Sequence, residues 1–252
     1  MKYYIIPIFI PHYGCPHTCI FCNQKKITGL TTPVTPATVE KIIAGHLKKI
    51  PPARKVEIAF YGGSFTALPL TLQKELLAPA ATAVRNKYAS AIRLSTRPDC
   101  VTLPGLEEIA QMGVSIIELG VQSFDNAVLK RAERGHTRED AWQAVKIVKS
   151  LGLQCGIQLM PGLPRETRAS LLKTARTAIA LQPDFARIYP TLVICATKLA
   201  ELYKTKLYQP LTMDEAIFRS AILKLLLEKN GIPVIRIGLQ ATQELQNPEV
   251  LL

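Results

Sequence analysis

Gly14-Cys15-Pro16-His17-Thr18-Cys19-Ile20-Phe21-Cys22-Asn23 carries three cysteines spaced C-x₃-C-x₂-C. The spacing puts three thiolates on one tight loop. Three thiolates can hold three corners of a cubane [4Fe–4S] cluster, whose usual complement is four cysteines. The fourth iron then has no protein ligand, and a small molecule can bind and react there. Zinc is the competing reading, since three cysteines with His12 or His17 complete a tetrahedral site. Structural zinc usually shows two separated ligand pairs, and no second C-x₂-C follows here.

The apolar run before the loop, Tyr3 to Ile10, is cut by Pro7 and followed by Pro11 and His12, with only Lys2 before it. It is too short and too broken for a secretory or lipoprotein signal. It reads instead as the first of a set of buried strands. The others are Lys55–Tyr61, Ala91–Thr96, Ser115–Gly120, Gln154–Met160 and Phe185–Tyr189. Helical stretches lie between or after them: Thr38–Ile50, Leu70–Tyr88, Leu106–Met112, Arg138–Leu151, Arg168–Leu181 and Met213–Glu228. Thr212 with Glu215 gives the last helix a capping-box start, and Asn230-Gly231 gives it a stop. Strand–helix alternation implies parallel pairing with right-handed crossovers. An open doubly wound sheet and an incomplete barrel both satisfy it. Pro233–Leu239 is either a seventh strand or the start of an extension.

The 252 residues, 48% hydrophobic, suffice for one barrel-sized domain with a large core. No apolar run approaches bilayer length, no membrane partner is expected, and the default location is the cytoplasm. Cys100, Cys155 and Cys195 are scattered singly and read as reduced, small buried residues. Lys and Arg total 31 against 19 for Asp and Glu, a net +12 that favours anionic partners such as nucleic acid. The charges are dispersed as pairs: Lys25-Lys26, Lys48-Lys49, Arg54-Lys55 and Lys130-Arg131.

Polar and glycine-rich punctuation follows each strand, where parallel α/β folds bind ligands. After the second comes Tyr61-Gly62-Gly63-Ser64, whose glycines let the backbone approach a ligand. After the third comes Ser95-Thr96-Arg97-Pro98-Asp99, in which Pro98 keeps Arg97 extended. After the fourth comes Glu118-Leu119-Gly120-Val121-Gln122-Ser123, whose Glu118 and Gln122 need polar partners, either a ligand or each other's barrel neighbours. Arg131 to His136, Met160-Pro161-Gly162-Leu163-Pro164 and Tyr189-Pro190-Thr191 complete the set.

These motifs, in this order, resemble the radical S-adenosylmethionine superfamily over most of residues 5–195. The match is strongest to the subgroup of the elongator catalytic subunit, with oxygen-independent coproporphyrinogen oxidases more distant. The resemblance implies an α/β fold, a partial (β/α)₆ TIM-like barrel with a parallel sheet. It implies that Cys15, Cys19 and Cys22 ligate a [4Fe–4S] cluster whose open iron takes S-adenosylmethionine. Gly62, Gly63 and Ser64 match the strand end that meets the methionine amino group. Thr96, Gln122 and Arg134 fall where relatives contact ribose and carboxylate, and Phe21 falls near the adenine. The implied activity is that of a radical enzyme. A one-electron donor of flavodoxin or ferredoxin type reduces the cluster, the sulfonium is cleaved, and a 5′-deoxyadenosyl radical attacks the substrate.

Transfer RNA is the expected substrate, with a tetrapyrrole-like small molecule or a non-catalytic metal- or RNA-binding module as alternatives. Many relatives carry Glu where Ser64 stands, so weaker or assisted cofactor binding is expected. Residues 1–252 read as a single core domain. From about residue 197 onward the chain reads as an extension, truncated or needing a partner over the barrel edge. The length leaves no room for the elongator acetyltransferase domain, and acetyl-coenzyme A chemistry is not expected.

Overall fold

The computed structural model describes residues 3–10, 14–24, 26, 33–51, 55–239 and 250–251. Lys2, Pro11, His12, Lys25, Arg54, residues 240–249 and Leu252 lie outside the described residues.

Seven parallel strands run in sequential order: β1 (Tyr3–Ile10), β2 (Lys55–Gly62), β3 (Ala91–Thr96), β4 (Val114–Gln122), β5 (Gln154–Leu159), β6 (Phe185–Ile188) and β7 (Val234–Ile237). Sequential order settles what periodicity left open. A doubly wound sheet reverses its strand order at a switch point. Here every right-handed crossover moves one strand onward, so all helices fall on one face and the sheet curls into a partial barrel. The apolar run after Pro233 is the seventh strand, paired parallel to β6.

The helices are α1 (Pro36–Leu47), α2 (Leu70–Arg85), α3 (Leu103–Ala110), α4 (Asn126–Arg131), α5 (Arg138–Ser150), α6 (Arg168–Leu181), α7 (Lys198–Lys204) and α8 (Met213–Lys229). Their starts are capped. Thr137 and Thr167 form reciprocal capping boxes with Asp140 and Ser170. The box expected at α8 is only half made. Thr212 accepts from the Glu215 amide, but the Glu215 carboxylate turns to Arg219 and Arg168. An ion pair has outcompeted the backbone N–H for that carboxylate. Helices α4 and α7 and two short 3₁₀ turns, Phe65–Ala67 and Pro98–Cys100, were not expected from the sequence.

Side chains alternate across each strand. Ile6, Ile8 and Ile10 of β1, Ile58 and Phe60 of β2, Ile92 and Leu94 of β3, and Ile157 and Leu159 of β5 join the main core against the helices. The intervening residues face the lumen. There Arg93 Nη2 pairs with Glu57 Oε2, and Arg93 Nη1 pairs with Glu118 Oε1 at 2.8 Å. Arg187 Nη2 donates to Glu118 Oε1 at 3.1 Å, and its Nη1 donates to Tyr189 Oη at 3.1 Å. Arg187 Nε lies 2.7 Å from Glu118 Oε2 but out of line for a hydrogen bond. Burial alone would lower the pKa of Arg93, but Glu118 and Glu57 hold it above its usual range.

Removing one partner from a buried ionic cluster strands the others. Arg93→Met leaves Glu57 and Glu118 short of a cation. It should lose roughly 3–5 kcal/mol of unfolding free energy in urea titration. A loss under 1 kcal/mol would show that solvent or neighbouring groups take over its pairing.

Candidate active site

The strand carboxyl ends surround a cavity of about 470 Å³. A volume of this order suits a cofactor-sized ligand. Cys15, Cys19, Phe21, Cys22, Gly62, Gly63, Ser64, Thr96, Gln122 and Arg134 all line it. Every site residue expected from the sequence therefore faces one space.

The cysteine loop is placed by backbone constraints. Gly14 has φ +71°, and a Cβ there would lie 2.2 Å from the Ser64 carbonyl oxygen. Only glycine lets the loop press against the end of β2 in this way. The Ile20 amide donates to Ala132 O at 3.2 Å, and its carbonyl accepts from the Leu199 amide at 2.8 Å. Helix α7 thus clamps the loop from one side and the end of α4 from the other. The Ile20 side chain packs with Val193, Leu199, Ala200 and Tyr208.

Arg134 reaches the thiols. Its Nη1 donates to Cys19 Sγ at 3.2 Å and its Nη2 to Gly120 O at 2.6 Å, while Nε is buried without a partner. Gly120 is what admits it, because a Cβ there would stand 2.8 Å from Nη2. Arg97 supports this arrangement. It binds Asp99 with both Nε (3.0 Å) and Nη2 (2.9 Å), donates to Arg134 O, and sets Nη1 3.9 Å from Cys19 Sγ. Burial pushes the Cys22 thiol up to about 12, with Cys19 and Cys15 adding to the shift. Cys22 therefore holds a proton that a metal must displace.

The remaining groups present donors and acceptors. Thr66 Oγ1 donates to Cys100 O at 2.6 Å, so the Thr96 hydroxyl, 2.6 Å away, donates to Thr66 and keeps its lone pairs for a ligand. Gln122 Oε1 accepts from Gln158 Nε2 at 3.0 Å, which leaves its own amide N–H groups to donate. Gln122 sits at φ +68° where β4 shifts register, a rare conformation for a non-glycine residue. Ser64 Oγ is buried, with the Cys100 thiol as its polar neighbour. Phe21 packs on Val128, Ala132 and Leu163.

Zinc needs its ligands within about 2.3 Å of one ion. Among the described residues, no three His, Cys, Asp or Glu side chains converge to hold one metal ion. The ring of His17 lies over Gly135, where a Cβ would approach to 2.2 Å. His12 lies outside the described residues. A cubane spreads its cysteines over separate irons and accepts a wider set. All six cysteines are free, as expected, but Cys100 and Cys195 are only half-buried, so the small-buried-residue expectation holds for Cys155 alone.

The Radical SAM superfamily matches residues 9–178, and the Radical_SAM C-terminal domain matches residues 183–250. The chain belongs to the Radical SAM superfamily. It is 28% identical over 253 residues to the tRNA uridine(34) acetyltransferase of Methanocaldococcus infernus, covering 84% of this chain and 47% of that protein. It is 28% identical over 176 residues to Elongator complex protein 3 of Saccharomyces cerevisiae, covering 62% and 31%. The solved structure of M. infernus Elp3 with an N-terminal deletion superposes with a TM-score of 0.76 at 25% identity, covering 95% of this chain and 57% of that one. The chain thus spans about half the length of the acetyltransferase it matches.

Radical SAM membership brings the cofactor pair of a [4Fe–4S] cluster and S-adenosylmethionine. The site fits both. Three cysteines, a guanidinium with an unused N–H, a buried serine hydroxyl and an acceptor threonine line one cavity. The sequence reading left out Arg97 as a site residue. Its signal was present, a cation fixed extended before Pro98, but its partner Cys19 is 78 residues away.

Cys19→Ala should abolish iron loading after anaerobic reconstitution, measured by iron and sulfide content. Arg134→Ala should still load iron but bind S-adenosylmethionine at least about 10-fold more weakly, the effect of losing one charge-assisted hydrogen bond. Unchanged affinity would remove Arg134 from the cofactor contacts.

His136 predicts a pH dependence. Burial, with Arg134 and Arg97 nearby, pushes it down to about 2, while its Nε2 bonds Val121 O and its Nδ1 stands 4.0 Å from Asp99. Below pH about 6.5 the unfolded chain binds a proton that the native state refuses. Stability should therefore fall by about 1.4 kcal/mol per pH unit as pH drops from 6.5 to 5. His136→Asn should flatten that slope in urea titrations.

Proposed function

We propose that the chain cleaves S-adenosylmethionine reductively and directs the resulting radical at transfer RNA, with electrons from a flavodoxin- or ferredoxin-type donor. The observation that carries the reading is that Cys15, Cys19 and Cys22 line one cavity with Arg134, Ser64 and Thr96. When bound, the cluster supplies one electron to the sulfonium, releasing methionine and a 5′-deoxyadenosyl radical that takes hydrogen from the substrate.

The residues divide the work by position. Cys15, Cys19 and Cys22 supply three thiolates and leave one iron open. Arg134 and Ser64 stand beside them with unused hydrogen-bonding capacity, suited to the carboxylate and amino group of methionine. Thr96 accepts and Gln122 donates, as ribose hydroxyls require. Phe21 supplies an apolar wall for the adenine, and Gly62 and Gly63 keep the strand end bare for close approach. Tyr189 and Arg236 line the same cavity and are left for the substrate.

Transfer RNA as substrate draws on the relatives named for tRNA uridine(34) and on the net charge of +12. The test is anaerobic reconstitution, reduction and chromatographic assay of 5′-deoxyadenosine, beside equilibrium binding of bulk tRNA at rising salt. Product formation in the wild type and tRNA affinity that falls steeply with salt are expected. A fully loaded cluster without 5′-deoxyadenosine would overturn the radical chemistry. Absence of tRNA binding would overturn the substrate.

A further inference from the structure

A second pocket of about 300 Å³ lies on the same rim, between the end of α4 and the loop joining β5 to α6. Arg131, Arg165 and Arg219 line it, with Glu166 as its one acid. One oxygen of that acid is already engaged. The Glu166 side chain is 3% exposed, and its Oε1 accepts from the Gly162 amide at 2.8 Å and from Arg219 at 2.9 Å. Arg219 is further tied to Glu215 at 2.9 Å. Arg131 and Arg165 are exposed and, among the described residues, have no ion-pair or hydrogen-bond partner. The walls are firm. Tyr208 Oη donates to Gly162 O at 2.7 Å, and Leu211 packs so closely that a Cβ on Gly162 would lie 2.9 Å from it.

We propose that this pocket is a phosphodiester-binding subsite, in which Arg131 and Arg165 hold a backbone phosphate of the RNA substrate. The proposal rests on the transfer-RNA reading above and gives that RNA a docking point. Two arginines without ion-pair partners on the lining of one concave, polar site suit an anion with several acceptor oxygens. The pocket shares a wall with the main cavity, because Leu163 lines it and packs against Phe21, which lines the other. A phosphate held here sets the register of the strand while a neighbouring base reaches the cavity, the usual division between positioning and chemistry.

The experiment measures equilibrium tRNA binding by the full chain across a potassium chloride series. The comparison is wild type against Arg131→Ser with Arg165→Ser. Loss of two phosphate contacts should weaken binding and make the slope of log affinity against log salt shallower by about 1.4 to 1.8. Lysine at both positions should keep the wild-type slope. Serine at Arg85 and Lys87, exposed at the opposite rim after α2, should leave the slope unchanged. Formation of 5′-deoxyadenosine without RNA should be equal in all variants. If the wild type binds tRNA and the Arg131/Arg165 variant keeps its slope and affinity, the subsite is wrong and the RNA reading stands. If the opposite-rim variant loses as much, binding is diffuse and the subsite is also wrong. If the wild type binds no tRNA, the reading beneath the proposal falls with it.

Discussion

Arg93 held between Glu57 and Glu118, with Arg187 closing on Glu118 from the far side, is the interaction on which the barrel interior depends. Each charge comes from a different strand, β2, β3, β4 or β6, so the cluster ties the sheet across its curvature. Two cations and two anions cancel, and buried charges are tolerated only when paired in this way. An ionic cluster of this kind adds little net stability compared with a well-packed apolar replacement. What it supplies is a polar floor. Tyr61 lies over Arg187 and bonds it at 3.1 Å, and burial with Glu118 nearby pushes the phenol pKa up, keeping it a donor. The cavity therefore opens over a rigid base that already has its charges settled.

Much of this was legible in the sequence. Strands β1 and β3 have the bounds expected, because β-branched and aromatic runs ended by glycine or proline leave little choice. The strand order was not legible from periodicity. It depends on how crossovers pack, and only the family resemblance named a barrel. The lumen charges were largely missed for a specific reason. Strands such as Lys55–Tyr61 were read as apolar blocks, yet Glu57, Arg93 and Arg187 occupy alternate positions within them. The period of two was written there, and only Glu118 was noticed. Helices α4 and α7 span six and seven residues, too short for a period of 3.6 to show.

The candidate site was more legible than the fold that carries it. All ten expected residues share one cavity because they sit at the carboxyl end of a strand or in the segment after it, and parallel strands deliver these to one rim. What motifs could not give is how those residues act on one another. Arg134 bonds Cys19 across 115 positions, and Arg97 bonds the Arg134 carbonyl across 37. Two guanidiniums thus stand by one cysteine. Such donors stabilise negative charge on a ligating sulfur and are a known lever on cluster potential. Ser64 is neutral, so Arg134 carries the electrostatic load at this end of the cavity.

Net charge alone says nothing of where the cations sit. Four of the arginines, Arg93, Arg97, Arg187 and Arg219, are consumed by internal carboxylates. They build the interior and offer nothing to a distant anion. Lys198 with Glu133 and Lys74 with Glu108 form exposed pairs that cancel locally. A cation attracts a polyanion to a defined place only if it is unpaired and set in a concave site near the chemistry. Arg131 and Arg165 meet those conditions, on a wall shared with the cavity through Leu163 and Phe21. The geometry of recognition follows from which charges the fold has left unspent.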